Sequence, residues 1–406
     1  MNIKSFGSIC SGVGMQEMAI KKVFPNIEIN YFSEIDKYAI KSYKEIHGDI
    51  PNLGDFTKAE DIPYVDMMFA STPCQDFSVA GKQAGFDGMR GTLTFEWVKM
   101  LERLKIDNKM PKVIGFENVP AIKNKKFIDG FNLFKSQLKE LGYNFFVDTL
   151  NAKGYGVPQN RNRVFMIGFL DTNWFEFPTS FKLQSRLKDI LEGEVEEKYY
   201  LSEEKQLSFV KTKKSDDTPH IICQGLLDMK GHDISRRVYN ADGISPNVNA
   251  RSETAKVIIK GNVSPNNFRS MDIMSDKGIC KTLMANGGGN TEPKILVKEA
   301  TKKGYKEAYD GDSINLEQPN SKTRRGRVGS GVANTLTTSC NQGVVSDYRI
   351  RKLTPLECWR LMGIDDSNFY KAQAVNSNSQ LYKQAGNGIV VNVLVEIFKK
   401  IKELQQ

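Results

Sequence analysis

Three short segments carry residue types able to do covalent or acid–base chemistry. In Ser71-Thr72-Pro73-Cys74-Gln75-Asp76-Phe77-Ser78, the thiol of Cys74 comes directly after the apolar run Met67–Ala70. A thiol at its ordinary pKa of about 8.5 needs local activation to act as a thiolate, from backbone amides or from a cationic ligand. Alone, Cys74 would read as a buried structural cysteine. Glu117, in Phe116-Glu117-Asn118-Val119, ends another apolar run, and a thiol beside a carboxyl group is a pair suited to covalent catalysis. In Gln159-Asn160-Arg161-Asn162-Arg163 the odd positions share one face of an extended strand. Arginines on such a face hold scaffold carboxylates if turned inward, and a base carbonyl or phosphate if turned into a cleft.

A fourth segment suggests a ligand. Phe6-Gly7-Ser8-Ile9-Cys10-Ser11-Gly12-Val13-Gly14-Met15 follows a strand and opens a helix, and its glycines let a ligand approach the backbone. Glu34 lies about 20 residues on, where an acid can take a ribose diol. Asp55, in Leu53-Gly54-Asp55-Phe56, can take an adenine amino group. The loop lacks full dinucleotide spacing and no phosphate-binding lysine follows. A nucleoside without a phosphate chain, such as S-adenosylmethionine, therefore fits better than NAD.

These residues need elements that bring them to one edge. Strands are expected at Ile3–Ile9, Ile27–Phe32, Met67–Ala70, Val113–Phe116, Phe145–Leu150 and Arg163–Phe169. Helices are expected at Met15–Phe24, Ala39–Ile46, Thr94–Leu104 and Phe127–Leu141. Such alternation implies an α/β domain with a mostly parallel sheet, which binds ligands outside the carboxyl ends of its strands. Cys74, Glu34 and Glu117 all follow such ends.

Residues 180–345 differ in texture, with Gly, Asn, Ser and Lys around short β-prone runs. A weak repeat of turn, strand, polar loop and strand starts at Asp242, Lys277 and Gly331. It suggests a small β-rich lobe bearing loops. Its most basic spot, Thr323-Arg324-Arg325-Gly326-Arg327, is either a solvated loop or a phosphate or base contact. The tail returns to helix, with Thr354 as N-cap, Pro355 at the first helical position, and a last helix over Ile389–Leu404.

The 406 residues exceed one typical domain, and 40% hydrophobic with 26% charged residues excludes a disordered or fibrous chain. The formal charge of +9 fits a polyanionic partner or merely a lysine-rich composition. Six cysteines without a CxxC pair and three distant histidines make a metal site unexpected. No apolar stretch is long enough to span a membrane. The N-terminus has no charged-then-apolar leader, so a cytosolic chain is expected.

In order along the chain, these segments resemble the motifs of DNA (cytosine-5)-methyltransferases of the bacterial or phage restriction–modification type. The matching segments begin with the Ser11–Gly14 loop, Glu34, Gly54-Asp55, Pro73-Cys74-Gln75, Gly81–Phe86, Arg90–Leu93 and Glu117–Val119. They continue with Gln159–Arg163, Arg351–Cys358, Arg360–Gly363 and Gln384–Gly388. The resemblance covers all but about residues 180–345. It implies a Rossmann-like S-adenosylmethionine-dependent sheet with helices on both faces, plus a smaller β-rich target-recognition domain. The expected divisions are a catalytic domain over 1–178 and a recognition domain over 179–350. A hinge and helix of the small domain over 351–378 and a segment over 379–406 packing back on the catalytic domain complete them.

The resemblance implies that Cys74 attacks C6 of a flipped cytosine while Glu117 holds N3 and the exocyclic amine. Arg163 contacts the base carbonyl and Arg161 supports the site. The cofactor would lie among Cys10, Ser11, Gly12, Val13, Gly14, Glu34, Ile35, Asp55, Phe56, Pro73, Leu93, Asn387 and Ile389. DNA contacts fall on Gln75, Ser78, Lys82 and Arg90 of a mobile loop, and on Arg324, Arg325 and Arg327 of the recognition block. The partner is double-stranded DNA, the chain is expected to act as a monomer in the cytoplasm, and no metal is needed. One family branch methylates tRNA instead, but a recognition block this long favours duplex DNA. Four positions depart from the family pattern. Ser8 and Cys10 stand where an Asp and a Phe are usual, Met15 replaces a second Gly, and Gly388 replaces a Ser. The Phe lies against the adenine, so Ile35 or Phe56 would take over that contact.

Overall fold

The computed structural model describes residues 2–72, 93–201, 223–226, 237–239, 259–262, 272–274, 295–319, 321–339, 341–346 and 349–405. Pro73, Cys74, Gln75, Ser78, Lys82 and Arg90 lie outside the described residues, as do most of the polar repeats. The described chain forms two units. The first comprises residues 1–186, 335–340 and 355–406, and the second comprises 187–334 and 341–354.

Six strands make the sheet of the first unit: β1 (Ser5–Ile9), β2 (Glu28–Ser33), β3 (Met67–Ala70), β4 (Val113–Asn118), β5 (Asn144–Asn151) and β6 (Asn162–Phe169). Their spatial order is β2-β1-β3-β4-β6-β5. Neighbours among the first four are parallel, and β6 runs antiparallel to both β4 and β5. The sheet is thus mostly parallel with one reversed strand. The reversal matters for the site, because it brings the start of β6, with Arg163, level with the end of β4, with Glu117.

Both faces are covered by helices. On one face lie α1 (Met15–Val23) and α2 (Lys37–His47), with the C-terminal α8 (Val391–Glu403) packed on α1. Phe398 of α8 meets Phe6 and Phe69 edge-on, and Tyr43 of α2 stacks on Phe32 at 3.7 Å. On the other face lie α3 (Leu93–Ile106) and α4 (Ile128–Glu140), where Trp97 stacks on Phe116 and Phe134 packs against both. Strand side chains alternate between these two cores. Phe69 faces α8, while Met68 accepts the Trp97 indole N–H.

Three short helices complete this unit: α5 (Pro355–Arg360), α6 (Asp366–Gln373) and α7 (Asn378–Asn387). Residues 355–378 therefore belong with the first unit, not with the small domain as the sequence suggested. The reason is their apolar side: Trp359 and Phe369 are buried edge-on to each other, and α6 packs on α2. The division after residue 178 moves to 186, and Thr335–Cys340 also joins the first unit.

The second unit is β-rich. Strands 295–298 and 305–308 form an antiparallel pair, and strands 328–329, 313–315, 342–346 and 349–352 form an antiparallel sheet in that order. A small apolar core of Leu201, Ile295, Val297, Ala308, Ile314, Leu316, Val328 and Val345 holds them together.

Candidate active site

The carboxyl ends of β1 to β4 and the amino end of β6 open onto one cavity of about 390 Å³. Its walls include Cys10–Val13, Glu34–Asp36, Gly54–Phe56, Ser71, Thr72, Leu93, Glu117–Val119, Arg161, Arg163 and residues 386–389. All the described residues expected to hold a cofactor line it except Gly14, which is the N-terminal boundary of α1.

The glycine loop takes its shape from backbone constraints. Gly12 and Gly14 have φ of +59° and +84°. A β-carbon on Gly14 would collide with His47 and Tyr43, whereas one on Gly12 would meet nothing within 4 Å. Gly12 thus offers bare backbone to open cavity. Its N–H donates to Glu34 Oε2 at 2.8 Å, and Glu34 Oε1 accepts from the N–H groups of Ile35 and Asp36, both at 2.8 Å. Glu34 is thereby aimed at the cavity with lone-pair capacity left for a vicinal diol. Asp36 caps α2 through Tyr38 N–H and pairs with Lys383 at 2.7 Å, which ties α7 to this rim.

Asp55 accepts from the Thr57 hydroxyl at 2.7 Å and pairs with Lys58, and these hold its carboxyl below the usual range. Phe56 is buried and Ile35 is 72% exposed at the rim. Cys10 has φ +55°. Burial, and then the Glu34 and Asp55 carboxylates, push its thiol up to about 12. Cys10 is a neutral thiol, not a nucleophile.

At the opposite end of the cavity, Glu117 is 8% exposed and pairs with Arg163 Nε at 2.9 Å. Burial pushes the Glu117 carboxyl up, against the pull of Arg163 and Arg161. The shift is toward the acid form, the form that can donate a hydrogen bond. Beside it, Asn118 Nδ2 is buried and has no hydrogen-bond partner among the described residues.

Arg161 has a different task. It is 2% exposed and donates to three carbonyls: Leu336 at 3.0 Å, Gly386 at 3.0 Å and Gly388 at 2.7 Å. It clamps the end of α7 and residues 335–340 onto the wall of the cavity. Gln159 adds a second clamp, donating to Leu361 O at 2.7 Å and accepting from Leu336 N–H. The sequence expectation that all three odd positions share one face holds only loosely. Gln159 and Arg161 turn to backbone carbonyls of the C-terminal segment, while Arg163 meets Glu117.

The recognition-block arginines part company as well. Arg325 is exposed, with Nε on Ala300 O. Arg324 is half-buried and paired with Glu317 at 3.1 Å. Arg327 is 1% exposed and its guanidinium donates to the carbonyls of Lys298, Asn315, Glu317 and Gln318. Arg327, expected to meet DNA, instead spends these donors on backbone of the second unit.

Gln16 and Lys383 also line the cavity and were not singled out from sequence, and Met15, Asn118 and Gln384, named there only within motifs, line it too. Gln16 is buried and donates to Ser71 Oγ at 2.8 Å, fixing the residue that leads into Thr72. A polar residue early in a helix otherwise buried carried the only hint of it.

A family profile described as C-5 cytosine-specific DNA methylase matches residues 4–403. The chain belongs to this family. The orphan methyltransferase M.SPRI of Bacillus phage SPR is 33% identical over 440 residues, covering 97% of this chain and 96% of that protein. The type II methyltransferase M.HhaI of Haemophilus parahaemolyticus is 30% identical over 394 residues, covering 96% and 91%. Among solved structures, the S. pombe Dnmt2 methyltransferase matches over all of both chains with a TM-score of 0.54 at 14% identity, a likeness of fold. The protein is thus a DNA (cytosine-5-)-methyltransferase with an S-adenosylmethionine-dependent methyltransferase fold. No helix among the described residues is long and apolar enough to cross a membrane, and no cluster of potential metal ligands occurs among them.

Proposed function

We propose that this protein methylates C5 of cytosine within a specific sequence of double-stranded DNA, and that it protects that DNA from restriction. The observation that carries the reading is the buried Glu117–Arg163 pair at the far end of the cavity that begins at Gly12 and Glu34. One end suits a nucleoside cofactor and the other suits a pyrimidine.

The donor set fits S-adenosylmethionine. The Ser11–Gly14 backbone takes its amino-acid part, Glu34 its ribose, and Asp55 and Phe56 its adenine, with Ile35, Leu93, Asn387 and Ile389 closing around it. When bound, it supplies an electrophilic methyl group. The protein's residues do the remainder. Base flipping costs a few kcal/mol of stacking and pairing, which protein–DNA contacts must offset. The Cys74 thiolate bonds to C6 while Glu117, in its acid form, donates to N3 and accepts from the exocyclic amine. Electron density moves to C5, which takes the methyl group. Loss of the C5 proton then re-forms the double bond and expels Cys74. Arg163 orients Glu117 and reaches the base carbonyl, and Arg161 keeps the C-terminal wall in place. Acting on DNA in a bacterial or phage-infected cell, the protein works in the cytoplasm at the nucleoid.

Incubation with methyl-labelled S-adenosylmethionine and either duplex DNA or tRNA tests the substrate. Label in DNA, with bisulfite sequencing placing it at one recurring sequence, is the expected result. Label only in tRNA would overturn it.

A further inference from the structure

Beneath the glycine loop lies a carboxyl group that the reaction does not use. Glu17 of α1 is 0% exposed. Its Oε1 accepts from the hydroxyls of Ser8 and of Tyr43, the latter at 3.1 Å, while its Oε2 has no hydrogen-bond partner. Burying a carboxyl with one oxygen unmatched is costly, and a methionine or leucine would serve the packing of α1 better. The fold alone gives no reason for an acid here.

The hydrogen bonds run in one direction and reach the cavity. Ser8 Oγ lies 2.5 Å from Ser11 Oγ. Ser8 donates to Glu17, so it is left to accept from Ser11, whose hydroxyl lies closer to Ser8 Oγ than to the Ser8 and Ser33 carbonyl oxygens, both at 3.3 Å. Ser11 also donates its backbone N–H to Ser33 O at 3.0 Å, and Ser33 Oγ donates to Gly54 O at 2.7 Å. Glu17 is thus the terminal acceptor for the Ser11–Ser8 hydroxyl pair, while separate bonds from Ser11 N–H and Ser33 Oγ tie the same loop to the end of β2 before Glu34 and to the turn before Asp55. Each of these three segments lines the cavity.

We propose that Glu17 is a positioning residue for the methyl donor, fixing the Ser11–Gly14 loop through Ser8 and Ser11. The inference rests on the reading of this cavity as the S-adenosylmethionine site. It requires an acceptor at position 17 rather than a charge. Glutamine, which keeps one carbonyl oxygen, should substitute, and methionine, which fills the space without an acceptor, should not. Tyr43 packs its ring against Gly14 and donates to the same oxygen, but its hydroxyl is not a link between Glu17 and the loop, and Tyr43→Phe keeps the ring.

The test is calorimetric binding of S-adenosylhomocysteine, with steady-state kinetics in parallel. Loss of one buried hydrogen bond corresponds to about a tenfold change. Glu17→Met and Ser8→Ala should each weaken S-adenosylhomocysteine about tenfold and raise KM for S-adenosylmethionine comparably, with kcat within about twofold of wild type. Glu17→Gln and Tyr43→Phe should stay within about threefold in both measures. Unchanged affinity in Ser8→Ala, or a loss in Tyr43→Phe equal to that in Ser8→Ala, would overturn the proposal even if Glu17→Met failed to fold. Failure of the wild-type protein to bind S-adenosylhomocysteine at all would instead remove the cofactor reading on which the proposal stands.

Discussion

The side chain of Met15 occupies the space that a β-carbon on Gly388 would need. Gly388 has φ −77° and ψ 173°, an extended backbone open to any residue, so space and not conformation demands glycine there. Met15 opens α1 and Gly388 follows α7, and both line the cofactor cavity. Two of the four positions at which the sequence departs from the pattern it resembles, a Met for a Gly and a Gly for a Ser, therefore meet in space. Gly388→Ser alone should cost about 1–3 kcal/mol by overpacking. In a Met15→Ala background, Gly388→Ser should cost much less than it does alone. Additive unfolding free energies from chemical denaturation would refute the coupling.

Glu17 predicts a pH dependence of stability. Burial pushes its carboxyl up to about 7 from an ordinary value of 4.5, against Ser8, Tyr43 and Lys21, which lower it. The facing groups are Ser8 on β1, Tyr43 and His47 on α2, and Lys21 on its own helix. His47 is itself pushed down to about 4 by burial and Lys21, so it adds no positive charge near neutrality. The folded state binds the Glu17 proton more tightly than the unfolded chain does. This contribution is fully present below pH 4.5 and is lost as pH rises through about 7, by about 3 kcal/mol in total. Wild type should therefore lose stability relative to Glu17→Gln between pH 4.5 and 7.5 in paired denaturation curves. A constant difference between them across that window would count against the assignment.

Glu117 and Arg163 should act as a unit. Glu117→Gln removes the acid, and Arg163→Ala leaves a buried carboxyl without its nearest counter-charge. Each should lower kcat by about 10²–10⁴, and the double variant should lose no more than the worse single one. Binding of S-adenosylhomocysteine should persist in all three. Multiplicative losses would show the two residues to be independent.

Cys74→Ser should abolish methyl transfer while keeping DNA binding, since a serine hydroxyl at its ordinary acidity is a far weaker nucleophile than a thiolate. A gel-shift assay alongside label transfer separates the two effects. Full turnover in this variant would refute the nucleophile assignment. Cys10 is no substitute, because burial and the Glu34 and Asp55 carboxylates push its thiol up.

Much of the site was legible because apolar runs end abruptly on chemical residues. Met67–Ala70 stops before Ser71, Val113–Phe116 passes into Glu117, and the strand before Glu34 does the same. The helices α6 and α7 were not foreseen. Asp366–Gln373 and Asn378–Asn387 are mostly polar, and their few buried apolar residues, Phe369, Ala372, Leu381 and Ala385, are buried only through tertiary packing. Arg327 was legible as an arginine but not as scaffold, and the three carbonyls that Arg161 holds were not legible at all. Whether a guanidinium meets solvent or a nest of carbonyls depends on where distant backbone turns, and no local spacing records that.

That distinction yields the last prediction, on Arg325 and Arg327. They sit two residues apart in one basic run, yet one is exposed and the other donates to four backbone carbonyls. Arg327→Ala removes the donor that four partly buried carbonyls share and empties a buried position, a loss of about 1–3 kcal/mol. It should lower Tm sharply and reduce DNA binding only in proportion to the folded protein lost. Arg325→Ala should leave Tm unchanged. If its guanidinium meets a phosphate, the variant should weaken binding evenly across sequences and reduce the slope of log affinity against log salt by about 1. Thermal unfolding and salt-titrated binding of both variants decide the matter. An unchanged salt slope in Arg325→Ala would reduce that residue to a solvated loop position.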